Sequence, residues 1–123
     1  GHVSDEQKKI YDIVLKAQLA SLEILRSGLK CSDGDKAARD VITEAGYGEF
    51  FRHSTGHGVG IEIHEKPNLS PKSVTTLRTG NIVTVEPGIY IPGKFGVRIE
   101  DMALITENGC QNLTNAAKEL VIL

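Results

Sequence analysis

The chain has 123 residues, of which 40% are hydrophobic, and 14 basic against 16 acidic side chains give a formal net charge of -2. This length suits one domain with one hydrophobic core. The charges are intermixed, so there is no basic stripe for nucleic acid and no cationic face for a membrane, and we expect neither partner. No apolar run approaches the roughly 18 residues of a membrane-spanning helix and no targeting segment is visible, which predicts a cytoplasmic protein.

A first helix is predicted near the start of the chain. Ser4, followed three residues later by Gln7, is a capping-box signature, and apolar residues then recur at helical spacing over about residues 5–26. Gly28 is expected to end this helix with a left-handed residue.

A second helix is predicted to begin at Ser32, with Asp35 three residues further on, and to end at Gly46. Its expected buried face consists of Ala37, Ala38, Val41 and Ile42. Both helices are interpreted as structural, and we expect no catalytic side chain before Gly46.

After Gly46 the pattern changes to the alternation that is typical of strands. Strands are predicted at 82–85, 89–91, 97–106 and 120–122. The turns between them are expected at the prolines 67, 71, 87 and 92 and the glycines 80, 88, 93 and 96, and residues 107–109 (ENG) indicate a tight hairpin turn. Helices followed by an antiparallel sheet define an α+β fold.

The two cysteines, Cys31 and Cys110, lie far apart and match no metal-binding or redox spacing. We therefore expect reduced thiols, with a disulfide as the less favoured alternative.

Glu86 is the least expected residue of its strand. An ionised carboxylate between Val85 and Pro87 would cost several kcal/mol to bury unless it were paired or bound to a cation. The sequence therefore predicts a partner for Glu86.

Arg98 and Glu100 fall on one face of the following strand, because side chains alternate between the two faces. Arg98 would then steady the Glu100 carboxylate while it faces a site. A salt-bridged pair on a solvent-exposed face explains the same pattern equally well.

Histidines gather in a glycine-rich segment. Glycines at 56, 58 and 60 remove side chains around His57 and allow close approach. Taken singly, His53, His57 and His64 could each be an ordinary hydrogen-bonded histidine. One histidine and two glutamates would form a nitrogen and oxygen ligand set suited to Mn²⁺, Co²⁺, Zn²⁺ or Fe²⁺, which favours a metallohydrolase.

Three segments, taken together and in this order, resemble the signature of the pita-bread metallopeptidases: 53–67 (HSTGHGVGIEIHEKP), 84–90 (TVEPGIY) and 97–101 (VRIED). The residues at 64–67 (HEKP) and 86–90 (EPGIY) resemble those of the Xaa-Pro dipeptidase (prolidase) and aminopeptidase P branch rather than those of the methionine aminopeptidases. The resemblance implies the helix-and-sheet half of a pita-bread (creatinase/aminopeptidase-like) catalytic domain and hydrolysis of the peptide bond before proline.

The resemblance also implies a ligand set for two divalent metal ions. His57 and Glu86 would bind one metal, and Glu100 would bridge both. Manganese is the first expectation, with cobalt, zinc and iron as alternatives. The implied chemistry is attack by a water that the two metals activate.

The same resemblance implies roles around the substrate, a proline-containing peptide. His53 and His64 would lie in the substrate pocket, with His64 hydrogen-bonding the substrate and moving a proton. Glu86 would act as the acid and base, and Arg98 would orient Glu100.

The family's site needs two further aspartates on strands that precede the first helix, and the 123 residues do not contain them. We therefore expect residues 1–123 to be the C-terminal part of a catalytic domain, inactive alone and holding at most one metal weakly. Its expected partners are the missing N-terminal half or a second copy in a homodimer. The alternative function is a non-catalytic half-domain that serves as a binding module.

Overall fold

The computed structural model describes residues 4–59, 67–114 and 117–122, the last of these ranges through its backbone. None of the helices in these ranges is long and apolar enough to cross a membrane. The elements in chain order are helices α1 (Asp5–Ile24) and α2 (Cys31–Glu44), a 3-10 turn (Gly48–Phe50), and strands β1 (Gly58–Val59), β2 (Ile82–Val85), β3 (Gly88–Ile91), β4 (Phe95–Ile105), β5 (Cys110–Asn112) and β6 (Ala117–Ile122). The predicted α+β order is confirmed.

Helix α1 begins with the predicted capping box. The Ser4 hydroxyl accepts a hydrogen bond from the Gln7 amide and the Gln7 side chain accepts one from the Ser4 amide, each at 3.0 Å. The predicted end is wrong, because the helix stops at Ile24 and Leu25 is already extended. Gly28 does have a positive φ of 92°. It lies in the turn beyond the helix, where its amide donates to the Leu77 carbonyl at 2.8 Å.

Helix α2 begins at Cys31, one step before the predicted Ser32. The Cys31 amide donates to the Thr75 carbonyl at 2.9 Å, so a distant part of the chain satisfies this helix end in place of a serine cap. Gly46, with a φ of 93°, follows the last turn as predicted. The buried face contains the predicted Ala38 and Ile42, and also Cys31, Gly34 and Asp35, whereas Ala37 and Val41 are only partly buried.

Strand β4 is the centre of an antiparallel sheet. Its second half pairs with β2 and its first half with β3, along the same edge, while β5 and β6 pair with its other edge. The two registers continue through residues 86 and 87, so β2 and β3 form one long strand that is interrupted at Glu86 and Pro87. The interruption occurs where Pro87 has no amide proton to donate.

The predicted turns at Gly80 and Gly93 are confirmed by positive φ values of 95° and 75°. The turns predicted at Gly88 and Gly96 are wrong, because both lie within strands. A Cβ on either glycine would meet the Tyr90 side chain at 2.6 Å. These glycines therefore leave room for the tyrosine on the sheet.

The hairpin predicted at residues 107–109 joins β4 to β5, and the Thr106 amide donates to the Gly109 carbonyl at 2.9 Å.

The core lies between the helices and one face of the sheet. Burial alternates along β4: Val97, Ile99, Asp101, Ala103 and Ile105 are buried, and the residues between them are partly exposed. This alternation confirms that Arg98 and Glu100 share the opposite face. We call the side of the sheet that packs on the helices the helix face, and the side that carries Arg98 and Glu100 the pocket face.

Candidate functional site

His57 is held beside β2 by hydrogen bonds in both directions. Its carbonyl accepts from the Thr84 amide at 2.8 Å, and its amide donates to the Thr84 hydroxyl at 3.0 Å. One step further, the Glu86 amide donates to the Thr55 carbonyl at 2.6 Å. Gly56 makes this approach possible, because a Cβ there would overlap the Thr84 carbonyl oxygen.

The His57 ring points at Glu86, with 3.4 Å between Nε2 and the carboxylate Oε2. Its Nδ1 lies 3.1 Å from the Gly58 carbonyl oxygen. A carbonyl only accepts, so Nδ1 carries a proton, and Nε2 is the ring nitrogen that faces the carboxylate. A proton on Nε2 or a cation between the two groups would make this contact favourable. The predicted partner of Glu86 is thus the His57 imidazole, with Nε2 directed at the carboxylate.

Glu86 also lies opposite Glu100 when the registers of β2 and β3 on β4 are continued across the interruption. The Ile99 amide donates to the Pro87 carbonyl at 3.4 Å, which makes the Pro87 and Ile99 positions a hydrogen-bonded pair. The neighbouring pair, Glu86 and Glu100, is then of the closer, non-hydrogen-bonded kind. Directly opposed like charges destabilise a sheet unless a positive charge lies between them.

Arg98 supplies positive charge on the pocket face. Its Nε lies 3.9 Å from a Glu100 carboxylate oxygen, and the two side chains are 33% and 37% exposed. At that distance and exposure the ion pair contributes little by itself. Its position still fits the predicted role of a residue that orients Glu100.

His53 is fixed at both ring nitrogens. Its Nδ1 lies 2.8 Å from the Ser54 carbonyl oxygen and donates to it, and its Nε2 forms a hydrogen bond with the Tyr90 hydroxyl at 2.9 Å. The Phe51 ring packs edge-on against it with 5.1 Å between centroids. His53 is therefore an oriented side chain at the edge of the site.

A pocket of about 480 Å³ opens beside these groups and is lined by His53, Ser54, Gly56, His57, Asn68, Glu86 and Arg98. It contains four of the side chains that the sequence analysis selected. Ser54 and Asn68 were missed, because neither carries a charge or a pattern that distinguishes it from a loop residue. Of the other two candidates, Glu100 is not among the residues that line the pocket, and His64 lies outside the described residues.

Within residues 4–59, 67–114 and 117–122, no three histidine, cysteine or acidic side chains are close enough together to form a metal-binding group. The donor chemistry nevertheless fits a hard or borderline divalent cation, with an imidazole nitrogen toward one carboxylate and a second carboxylate across the strand pair.

The thiols lie apart from this pocket, and Cys31 and Cys110 are both free, as predicted. Burial raises the pKa of each thiol above its ordinary value, which keeps both protonated at neutral pH.

The sequence pattern of metallopeptidase family M24 matches residues 1–107. The chain belongs to this family. The sequence similarity to known relatives confirms the predicted resemblance to the pita-bread metallopeptidases of the Xaa-Pro dipeptidase branch.

An Xaa-Pro dipeptidase from Pyrococcus horikoshii is 50% identical over 121 residues, which is 98% of this chain and 34% of the relative. The structure of an Xaa-Pro dipeptidase from Bacillus anthracis superposes with a TM-score of 0.90 at 54% identity, over 100% of this chain and 35% of that one. An X-Pro aminopeptidase from Thermotoga maritima gives a TM-score of 0.89 at 46% identity, over 97% and 34%. The chain thus spans about a third of the length of these relatives.

Proposed function

We propose that these residues form part of the active site of a metal-dependent Xaa-Pro peptidase, a proline dipeptidase or an aminopeptidase P. Membership of a metallopeptidase family and relatives that carry both names support the proposal. The observation that carries it is the His57 ring facing the Glu86 carboxylate across 3.4 Å in the pocket, with Glu100 opposite Glu86 in the strand register.

His57 Nε2, Glu86 and Glu100 would hold the metal. A divalent cation bound there would lower the pKa of a water and polarise the scissile carbonyl. The two further aspartates that the resemblance implies would come from outside these 123 residues. Manganese remains the first expectation.

The chain's own side chains would manage protons and orientation. Glu86 lines the pocket and its side chain is 16% exposed, which suits a carboxylate that takes a proton from water and returns it to the departing amine. Arg98 would keep Glu100 in place, and His53 would shape the pocket wall. Preference for proline would come from a site that needs no amide proton from the residue after the scissile bond.

Metal binding is the first test of this proposal. We expect the 123-residue chain to bind Co²⁺ or Mn²⁺ weakly in calorimetry. His57→Ala and Glu86→Gln should each reduce the affinity by about tenfold or more, because each removes a donor. Glu49→Gln is the matched control, since this carboxylate is exposed and lies outside the pocket. Equal affinity in all four proteins would refute the ligand assignment.

Hydrolysis is best tested in a chimera, with these residues replacing the matching segment of the Pyrococcus horikoshii Xaa-Pro dipeptidase, to which they are 50% identical. We expect release of proline from an Xaa-Pro dipeptide with Mn²⁺, and loss of that release in the chimera with Glu86→Gln. A folded, metal-binding chimera without hydrolysis would favour the alternative, a non-catalytic association module.

A further inference from the structure

A partly buried ion pair on α2 lies outside the pocket lining. Asp35 is fully buried, and Arg39 grips both of its carboxylate oxygens, with Nε to Oδ2 at 2.8 Å and Nη2 to Oδ1 at 3.0 Å. Burying a carboxylate costs several kcal/mol, which such a pair offsets only when further hydrogen bonds complete it. The partners in those further hydrogen bonds identify the segment of the chain that Asp35 and Arg39 hold in place.

All of the further partners lie in the loop that leads to His57. Asp35 Oδ1 accepts from the Thr55 amide at 3.1 Å and from the Thr55 hydroxyl at 2.9 Å. Arg39 donates to the Phe51 carbonyl at 3.0 Å and to the His53 carbonyl at 2.9 Å. Its guanidinium also stacks on the Phe51 ring, 4.1 Å from the centroid.

The loop transmits this hold to the site. Thr55, which Asp35 binds, accepts the Glu86 amide through its own carbonyl. His57 lies two residues further along and exchanges hydrogen bonds with Thr84. Fixing Thr55 therefore fixes the register in which His57 meets Glu86.

We propose that Asp35 and Arg39 are positioning residues that set the placement of His57 against Glu86. Neither lines the pocket, so they act through Thr55 and the backbone of His53. The expected effect on metal binding rests on the proposed function. The hydrogen bonds by which Asp35 and Arg39 fix the loop before His57 do not depend on it.

The same helix carries a matched control. Lys36 and Asp40 form an ion pair at the same spacing, but their side chains are 68% and 51% exposed. The Asp40 carboxylate raises the pKa of Lys36 and keeps it charged. Because this pair faces solvent, changing it tests for an effect of charge on α2 without loosening the loop.

The first experiment is amide hydrogen exchange in Arg39→Lys. A lysine keeps a positive charge beside Asp35 but lacks the planar fork that also reaches two carbonyls. We expect the Thr55, His57 and Glu86 amides to exchange about tenfold faster, the size expected for losing a hydrogen bond to a charged group. The Ile105 amide, bonded to the Asn81 carbonyl at 2.8 Å, should keep its rate. Lys36→Gln should change none of them.

Two exchange outcomes would overturn the proposal. One is unchanged exchange at Thr55 and Glu86. The other is equal acceleration at Ile105, which would mean that Arg39 affects only overall stability. Thr55→Val gives a second route that leaves the ion pair in place, and we expect a smaller but still selective acceleration at Glu86.

Metal affinity is the second measurement, since a purely structural role would leave it unchanged in the folded chain. We expect Arg39→Lys to weaken Co²⁺ binding about 10- to 100-fold, as for residues that orient metal ligands, and Lys36→Gln to leave it unchanged. Faster exchange with unaltered Co²⁺ affinity would overturn the positioning role. If the unsubstituted chain shows no His57-dependent Co²⁺ binding, the ligand assignment of the proposed function fails, and the exchange data alone decide whether the pair holds the loop.

Discussion

The carboxylates on the two faces of the sheet have different kinds of partner. Asp101 lies on the helix face, 2% exposed, and accepts hydrogen bonds from Gln18 at 3.0 Å and Thr114 at 3.2 Å. Both of these hydrogen bonds to the Asp101 carboxylate come from neutral side chains. On the pocket face, Glu86 faces the His57 Nε2 atom at 3.4 Å and lies opposite Glu100.

This difference distinguishes a structural carboxylate, Asp101, from the proposed metal ligand, Glu86. Burial alone would select Asp101, which is more buried than Glu86. The kind of partner is more informative than burial, because a carboxylate that faces an imidazole and lies opposite a second carboxylate suits a bound cation. The four predictions that follow test whether the two faces are as different as the contacts indicate.

The largest expected effect is on the helix face. Ile99→Ala should lower the free energy of unfolding by about 2–5 kcal/mol, because Ile99 is fully buried in the core. Met102→Ala, a partly exposed position on the pocket face of the same strand, is the control and should cost much less. Urea unfolding measures both, and equal losses would contradict the division of the sheet into two faces.

Gly56→Ala should have the next largest effect, because the new Cβ would overlap the Thr84 carbonyl and push the loop from β2. We expect a loss of about 1–3 kcal/mol in unfolding free energy and weaker Co²⁺ binding. Gly109→Ala is the control, since a Cβ there meets nothing within 4 Å. Normal Co²⁺ affinity in Gly56→Ala would show that the loop does not need this close approach.

Glu86→Gln should act in the opposite direction on stability. Removing one of two opposed carboxylates should raise the unfolding free energy of the metal-free chain by about 0.2–1 kcal/mol. Urea unfolding in a chelating buffer measures this, with Glu49→Gln as the exposed control. A destabilised Glu86→Gln would mean that the opposed pair is not repulsive without metal.

The smallest effect concerns pH and the helix face. Burial raises the pKa of Cys31 in the folded chain, so above the ordinary thiol pKa of about 8.5 only the unfolded chain releases this proton. The contribution of protonated Cys31 to the free energy of unfolding is therefore fully present below that pH. It is lost as the pH rises through the pKa of Cys31 in the folded chain. Cys31→Ala should flatten the fall in unfolding free energy between neutral and alkaline pH, and an unchanged slope would contradict this account.

Much of the fold could be predicted from local patterns. The capping box, the alternation along β4 and the hairpin at residues 107–109 each depend on neighbouring residues, and all three are confirmed. The start of α2 depends on a distant contact with Thr75, and the places of Gly88 and Gly96 depend on the pairing of β3 with β4 around the Tyr90 ring, so turn propensity alone gave wrong answers.

The candidate site divides in the same way. Residue chemistry indicated a metal site, and the family resemblance selected His57, Glu86 and Glu100 as its ligands. That Glu86 lies opposite Glu100 depends on how β2 and β3 together pair with β4, which no single stretch of sequence specifies. Asp35 was interpreted as part of a structural helix, and its contacts with Thr55 became visible only in three dimensions.

The interrupted strand also bears on the order in which the chain folds. Glu86 and Glu100 belong to one hairpin, and hairpins of neighbouring strands form in about 1–10 μs. His57 comes from much earlier in the chain, and its pairing with Thr84 is a non-local contact that is slower to form. Chain connectivity therefore favours early pairing of the two carboxylates, with the imidazole docking afterwards.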